Sequence, residues 1–235
     1  MIPVLICPVV SRFDLFEDMV RSIDYPIERL VIVDNSLTDY ELEFEPALVK
    51  EVIYLRPLIG LGYPGGINAG ITQTPFAPWW MWASNDLKFG PHDLAHIVGI
   101  MANAHGPRHV TGSTRHLRNV YGAMNRETVD AVGLFDEWTF YPIYYDDDDF
   151  ERRCHLGDVE WVTHDGSITH AGSQTIHSDA SAARANSTTF LENQRRYAAK
   201  WGGLPGSETF STPWNEGHPL GYTPVDIAGR HRRMW

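Results

Sequence analysis

The sequence predicts an α/β fold with a central, mostly parallel sheet, and the order of its first elements supports this prediction. Residues 2–7 and 30–33 are short apolar runs typical of buried strands, and residues 11–24 between them carry apolar side chains at helical spacing. A strand, a helix and a strand joined by short loops form the usual opening of a parallel sheet. Apolar runs at 51–55 and 78–83 predict a third and a fourth strand.

The rest of the chain adds shorter elements and then loses its periodicity. We predict helices at 92–104, 126–132, 147–156 and 184–201, and strands at 108–113, 119–124, 159–162 and 167–169. Beyond them the sequence is rich in Gly, Pro and Trp without a regular pattern. We therefore expect one domain over residues 1–203 and an irregular C-terminal tail over residues 204–235 that packs on it.

Composition narrows the class of protein. A length of 235 residues and a hydrophobic fraction of 43% suit a globular domain, and no apolar run is long enough to cross a membrane. The N-terminus has the pattern of a strand rather than of a signal peptide. The two cysteines, Cys7 and Cys154, lie in segments that we expect to be buried. These features predict a cytoplasmic protein without a disulfide scaffold. The net charge of −11 disfavours loose nucleic-acid binding, although it leaves open one local patch.

Four consecutive aspartates, at positions 146–149, form the most unusual stretch of the chain. Like charges in such a run repel each other unless a helix N-terminus, a metal ion or a bound donor group compensates them. Aromatic residues precede the run, and Arg152 and Arg153 follow it. The run is therefore either the solvated start of an acidic helix or part of a binding site.

Candidate ligand-binding residues follow the first two strands, because parallel α/β sheets bind ligands at the carboxyl ends of their strands. Pro8 and Val10 follow the first strand, and Asp34 and Asn35 follow the second. Asp34 can accept hydrogen bonds from a ribose or a base at this position. It can equally bind loop amides as a turn residue.

Two further features point to the same edge of the sheet. Five glycines occur between residues 60 and 70, which predicts a loop whose backbone approaches a ligand closely, although the spacing matches neither a Walker loop nor the dinucleotide fingerprint. Asp86 follows the fourth strand, and His170 ends a late strand. A carboxylate and an imidazole at strand ends suit a hard divalent ion that also contacts phosphate oxygens.

Taken together, six segments resemble the family 2 glycosyltransferases of the GT-A fold, near the rhamnosyltransferase-like and galactofuranosyltransferase-like members. The resemblance covers residues 2–175 and implies a Rossmann-like α/β/α sandwich. The six segments, which occur in the family's order, are VIVDNS at 31–36, GYPGGINAG at 62–70, SND at 84–86, VGLFDE at 132–137, YDDDDFERR at 145–153 and ITHAGS at 168–173.

The resemblance implies a role for each matched position. Asp34 would hold the base or ribose of a nucleotide-sugar donor, Asp86 and His170 would hold Mn²⁺ or Mg²⁺ on its diphosphate, and Asp147 would be the general base. The other residues expected at the donor are Pro8, Val10, Asn35, Gly65, Gly66, Asn68 and Asn85. The chain departs from the family's pattern at Ser84, which replaces the first carboxylate of the Asp-x-Asp motif, and at Gly60, where relatives often have asparagine.

The implied reaction is inverting, metal-dependent transfer of a sugar from a nucleoside-diphosphate sugar to an acceptor hydroxyl. The metal would stabilise the charge that grows on the leaving phosphate, while a carboxylate removes the proton of the attacking hydroxyl. The alternatives are a nucleotidyltransferase, a non-catalytic nucleotide-sugar-binding module and a Ca²⁺-stabilised interaction domain. A nucleotidyltransferase normally needs a basic residue in its glycine loop, and residues 60–70 contain neither Lys nor Arg. A Ca²⁺-binding loop needs acidic ligands at alternate positions, whereas the four aspartates here are consecutive.

The acceptor is the least defined partner in the sequence. A glycan, a lipid-linked glycan, a protein or a modified nucleobase each fits. Trp138, Tyr145 and Asp146 lie beside the base and either contact the acceptor or belong to the core. The basic clusters, which either bind an anionic acceptor or carry solvated charges, are Arg195, Arg196 and Lys200, and Arg230, Arg232 and Arg233.

Overall fold

A seven-stranded, mostly parallel sheet forms the centre of the computed structural model, which describes residues 1–114, 116–172 and 180–216. The strands are β1 Ile2–Val9, β2 Ile27–Asp34, β3 Val49–Leu55, β4 Trp79–Ala83, β5 Leu87–Lys88, β6 Arg108–Gly112, β7 Tyr121–Asn125, β8 Glu160–His164 and β9 Thr169–His170. The strand order of the large sheet is β3-β2-β1-β4-β7-β6-β8, and a separate two-stranded sheet pairs β5 with β9 in antiparallel orientation. Within the large sheet, β7 runs antiparallel to both of its neighbours, β4 and β6, whereas the other pairs are parallel.

Helices cover both faces of this sheet. They are α1 Phe13–Arg21, α2 Gly62–Gln73, α3 Asp93–Ala102, α4 Arg126–Val132, α5 Asp146–Leu156 and α6 Ala180–Trp201, with a short 3₁₀ turn at Pro213–Asn215. Alternate residues of β1 point to opposite faces: Leu5 packs in a core with α1 and α3, and Ile6 packs in a second core with α2, α4 and α5. The predicted α/β/α sandwich is thus confirmed. Both cysteines are buried, as expected.

The glycine-rich stretch is the main element that sequence reasoning got wrong. It was predicted to be a ligand-binding loop, but residues 62–73 form helix α2. The glycines allow this helix to approach β1 closely. A Cβ atom added to Gly66 would lie 2.8 Å from Pro8 Cβ, and one added to Gly70 would lie 2.5 Å from Ile6 Cγ2. The absence of side chains therefore serves helix-to-strand packing.

The beginning of the C-terminal tail lies against the end of α6. The backbone amides of Thr209 and Phe210 both donate to the carbonyl of Trp201, at 3.1 and 3.0 Å. Arg152 on α5 donates to the carbonyl of Phe210 at 3.0 Å. Residues 217–235, which include the basic cluster predicted in the tail, lie outside the described residues. None of the helices in the described ranges combines the length and apolar character needed to cross a membrane.

We predict that Gly70→Ala destabilises the protein although alanine favours helices. The added methyl group must displace Ile6, and overpacking of this kind costs about 1–3 kcal/mol, which exceeds the gain of about 1 kcal/mol in helix propensity. The measurement is the free energy of unfolding in urea. Gly99→Ala in α3 is the matched control, because no atom lies within 4 Å of its added Cβ, and it should stabilise the protein. Equal stabilisation by both variants would contradict the packing argument.

Candidate active site

A cavity of about 450 Å³ opens at the carboxyl ends of β1, β2 and β4. This is the edge of the sheet at which the sequence predicts a ligand. The predicted site residues that line it are Pro8, Val10, Asn35, Asn85, Asp86, Asp146, Asp147 and His170. The fold therefore brings the proposed metal pair and the proposed base to a single cavity, although they lie far apart in the sequence.

Asp86 and His170 form a direct pair in the wall of this cavity. The small β5–β9 sheet places Leu87 opposite His170, and His170 Nε2 lies 3.0 Å from Asp86 Oδ1. Ser84 Oγ donates to the same carboxylate oxygen at 2.5 Å. Burial raises the pKa of Asp86, but the hydrogen bonds from His170 and Ser84 outweigh it and hold the pKa below its usual value. Asp86 is therefore an ionised carboxylate at neutral pH.

The chemistry of this pair fits a divalent metal ion. Carboxylate and imidazole are both ligands of Mn²⁺, and the carboxylate also suits Mg²⁺. Within the described ranges, no group of three or more His, Cys, Asp or Glu side chains is arranged to hold a metal ion. An ion bound by Asp86 and His170 would complete its coordination with oxygen atoms of a ligand or of water. Ser84 donates a hydrogen bond to Asp86 and adds no charge to the pair.

The four aspartates divide into different environments at the start of α5. The helix begins at Asp146, so all four lie in its first turn, where the helix dipole stabilises negative charge. Asp146 and Asp147 face the cavity. Asp149 is fully buried and accepts from Arg153 Nε at 2.9 Å and Trp201 Nε1 at 2.9 Å, and it lies 2.6 Å from Lys200 Nζ. The run thus combines a binding surface with a structural anchor.

Burial raises the pKa values of the three other aspartates in the run. The pKa of Asp146 lies well above its usual value because of burial and the neighbouring charge of Asp147. Burial also raises the pKa of Asp147, while backbone amides and Arg118 lower it in part. Burial, Asp147 and Glu151 raise the pKa of Asp148 to about 7. Asp147 is therefore a stronger base than an exposed aspartate.

Arg118 is a site residue that the sequence reasoning missed. It lines the cavity from the segment between β6 and β7, and it forms a short ion pair with Glu151 on α5. Among the described residues that line the cavity, it is the only lysine or arginine. No sequence motif identifies Arg118, because its place in the cavity wall depends on the contact between this segment and α5.

Several predicted donor residues lie behind the cavity rather than in its wall. Asp34 is buried, and its carboxylate accepts from the amides of Ser36 and Tyr40 at 3.0 and 2.9 Å, which is the turn role that the sequence left open. Asn68 donates to the carbonyl of Phe135 at 2.8 Å and accepts from its amide at 3.1 Å. Asp34, Gly65, Gly66 and Asn68 are not among the described residues that line the cavity.

The two aromatic candidates for acceptor contact differ from each other. Tyr145 is buried with its ring centroid 5.6 Å from that of Tyr197, and its hydroxyl accepts from Gln194 Nε2 at 2.8 Å. Trp138 is 82% exposed. Neither is among the described residues in the cavity wall, so only Trp138 is free to meet a large acceptor at the surface.

Comparison with known proteins identifies the fold. No protein-family model matches the sequence, and no curated protein matches it. Among solved structures, the chain is similar to the mannosyltransferase PcManGT from Pyrobaculum calidifontis in complex with GDP-Man and Mn²⁺, with a TM-score of 0.56 and 17% identity. The match covers 70% of this chain and 54% of that one. The chain has the GT-A fold.

Two other solved structures give the same result. TarS 1-349 from S. aureus in complex with UDP-GlcNAc matches with a TM-score of 0.55 and 12% identity, over 84% of this chain and 71% of that one. Glucosyl-3-phosphoglycerate synthase from Mycobacterium tuberculosis, in complex with Mn²⁺, UDP and glucosyl-3-phosphoglycerate, matches with a TM-score of 0.50 and 14% identity, over 81% of this chain and 79% of that one. At these identities the likeness concerns the fold.

We predict that Arg118→Gln raises the pKa values of the carboxyl groups around it. The positive charge of Arg118 favours the ionised forms of Asp147, Asp148 and Glu151, so its removal shifts their titration to higher pH. Carboxyl ¹³C NMR titration measures the shift. Arg118→Lys keeps the charge and should titrate close to the wild type. Superimposable curves for Arg118→Gln and the wild type would contradict this electrostatic role.

Proposed function

We propose that the protein is an inverting, metal-dependent glycosyltransferase that moves a sugar from a nucleoside-diphosphate sugar to an acceptor hydroxyl. The observation that carries the proposal is that Asp147 and the Asp86–His170 pair line one cavity at the ligand-binding edge of a GT-A fold. The transfer needs a metal-binding group and a base near the reacting sugar, and the residues that line this cavity have the chemistry that both roles need.

The donor's diphosphate would lie at the Asp86–His170 pair. A divalent ion bound there supplies a positive charge that stabilises the leaving diphosphate. Pro8, Val10 and Asn35 line the part of the cavity next to β1 and β2, where we expect the nucleoside. Asn85 also lines the cavity, and its Nδ2 donates to the carbonyl of Ser11 at 2.8 Å, which fixes the loop after β1.

The other predicted donor residues would act indirectly, by supporting the residues that line the cavity. Gly66 allows α2 to pack against Pro8, and Asp34 holds the loop from Ser36 to Tyr40. Asn68 and Gly65 lie against the chain at Phe135 and Glu137, and Phe135 itself lines the cavity. We therefore propose that these four residues support the donor pocket from behind.

Asp147 would remove the proton from the acceptor hydroxyl. Its raised pKa strengthens it as a base, and the adjacent helix N-terminus keeps the ionised form accessible. Attack from the face opposite the leaving diphosphate inverts the configuration at the sugar carbon. Asp146 lines the same cavity, and we expect it to contact the acceptor.

The identities of the sugar and the acceptor remain predictions from the sequence. The resemblance to rhamnosyltransferase-like and galactofuranosyltransferase-like members predicts transfer of a hexosyl or deoxyhexosyl group, while the solved neighbours contain GDP-Man, UDP-GlcNAc or UDP. A glycan, a lipid-linked glycan, a protein or a modified nucleobase is the expected acceptor. Exposed Trp138 is our candidate for stacking on a ring of that acceptor.

We predict metal-dependent hydrolysis of one nucleotide sugar from a panel of UDP-, GDP- and dTDP-sugars, with water in place of the acceptor hydroxyl. Release of the nucleoside diphosphate should stop in the presence of a chelator and fall by about 10²–10⁴-fold in Asp147→Asn, because the general base is lost. Asp86→Asn should weaken the response to Mn²⁺. Thr128→Val, on α4, is the control for loss of a buried hydrogen bond outside the cavity.

The products separate this proposal from its alternatives. A nucleotidyltransferase would release pyrophosphate from a nucleoside triphosphate, and a binding module would retain the nucleotide sugar without turnover. Binding of none of the donors, with or without metal, would contradict the proposed function.

A further inference from the structure

The side chain of Asp93 connects two backbone segments, although Asp93 has no role in the proposed site. It is the first residue of α3 and is 5% exposed. Its Oδ2 accepts from the amide of Gly90 at 3.0 Å, and both of its carboxylate oxygens lie 3.2 Å from the amide nitrogen of Ser167. Gly90 and Ser167 are distant in sequence, so one carboxylate bridges two separate loops.

These two loops are continuous with the strands that carry the proposed metal pair. Gly90 follows β5, which begins directly after Asp86, and Ser167 precedes β9, which ends at His170. The two strands pair with Leu87 opposite His170, and the amide of Ala171 donates to the carbonyl of Asp86 at 2.9 Å. Asp93 thus binds one end of the β5–β9 pair, and the Asp86–His170 contact lies at the other end.

The bridge is tightly packed on its other side. A Cβ atom added to Gly166 would lie 2.1 Å from Asp93 Oδ1 and 2.4 Å from His164 Cε1. His164 Nε2 lies 3.6 Å from Asp93 Oδ1, and its Nδ1 is hydrogen-bonded to the Tyr121 hydroxyl at 2.9 Å. The Asp93 carboxylate therefore lies between the two loops and His164 of the main sheet.

The β5 and β9 strands, with two residues each, contribute little stability on their own. Such a pair contributes few ladder hydrogen bonds, and isolated two-stranded ribbons are marginal in water. A buried carboxylate that accepts backbone amides from both strands' flanking loops supplies the missing constraint. Contacts between metal-binding side chains and the residues around them commonly set the orientation of those side chains.

We propose that Asp93 is a positioning residue that clamps β5 to β9 and thereby keeps Asp86 and His170 together as a metal-binding pair. The metal part of this inference rests on the proposed function. The clamp itself is a property of the metal-free protein, so the two parts are tested separately.

The first test is hydrogen exchange in the metal-free full chain. Asp93→Ala should speed exchange at Leu87, His170 and Ala171, because the β5–β9 pair opens more often. Asp93→Asn keeps one acceptor oxygen and should fall between the alanine variant and the wild type. Thr128→Val removes a buried hydrogen bond of 2.9 Å on α4 and should leave exchange in β5 and β9 unchanged.

The second test measures the affinity for Mn²⁺ by electron paramagnetic resonance, without any turnover. Asp93→Ala should weaken Mn²⁺ binding by up to about 10-fold, the low end of the range for loss of a direct contact to a metal ligand, because Asp93 acts on Asp86 and His170 only through the backbone. The methyl group of Gly166→Ala should displace the Asp93 carboxylate without removing it, so this variant should also weaken Mn²⁺ binding. Partial recovery in Asp93→Asn would separate the clamp from a general loss of folding.

The outcomes discriminate between the two proposals. Unchanged exchange in β5 and β9 for Asp93→Ala overturns the clamp. Faster exchange together with weaker Mn²⁺ binding supports the whole inference. Faster exchange in a protein whose wild type binds no Mn²⁺ supports the clamp and overturns the metal assignment in the proposed function.

Discussion

The buried carboxylate of Asp149 determines where the start of α5 lies, and the candidate site depends on that position. It contacts Arg153 within its own helix and Lys200 and Trp201 at the end of α6, and all of these side chains are almost fully buried. Lys200 also pairs with Asp136 at 2.8 Å and, against the effect of burial, lowers the pKa of Asp136 to about 2. Because each charge is matched, the network offsets the large cost of burying ions, and removal of one partner would leave another uncompensated. Helix α5 is thereby fixed against α6 with its first turn at the cavity.

This anchor explains how four adjacent aspartates coexist. Asp149 is neutralised by cations, and the ionised form of Asp147 is favoured by the helix N-terminus and by the positive charge of Arg118. Burial and the charge of Asp147 favour the protonated form of Asp146, so the four neighbours do not carry four equal charges. The same arrangement leaves Asp147 with a raised pKa at the cavity wall. The first turn of α5 therefore contains both the buried anchor, Asp149, and the proposed base, Asp147.

The sequence predicted the α/β class, most strands and helices, and the residues that follow β1, β2 and β4, because apolar periodicity and strand ends are local signals. It assigned the wrong structure to residues 62–70, since the need for glycine came from contact with Ile6 and Pro8, which only the packed sheet reveals. Arg118 and Asp93 were missed for a related reason. Their roles depend on partners far away in the chain, namely Glu151 for the first and Gly90 with Ser167 for the second.

The proposed site combines a metal pair and a base in one cavity. Anomalous diffraction at the manganese edge, from crystals soaked with Mn²⁺ and a nucleoside diphosphate, tests this arrangement. We expect one peak within coordination distance of Asp86 and His170, with diphosphate oxygens on the same ion and Asp147 across the cavity. A well-ordered nucleotide in the cavity with no metal at this pair, or a metal bound elsewhere, would contradict the proposed site.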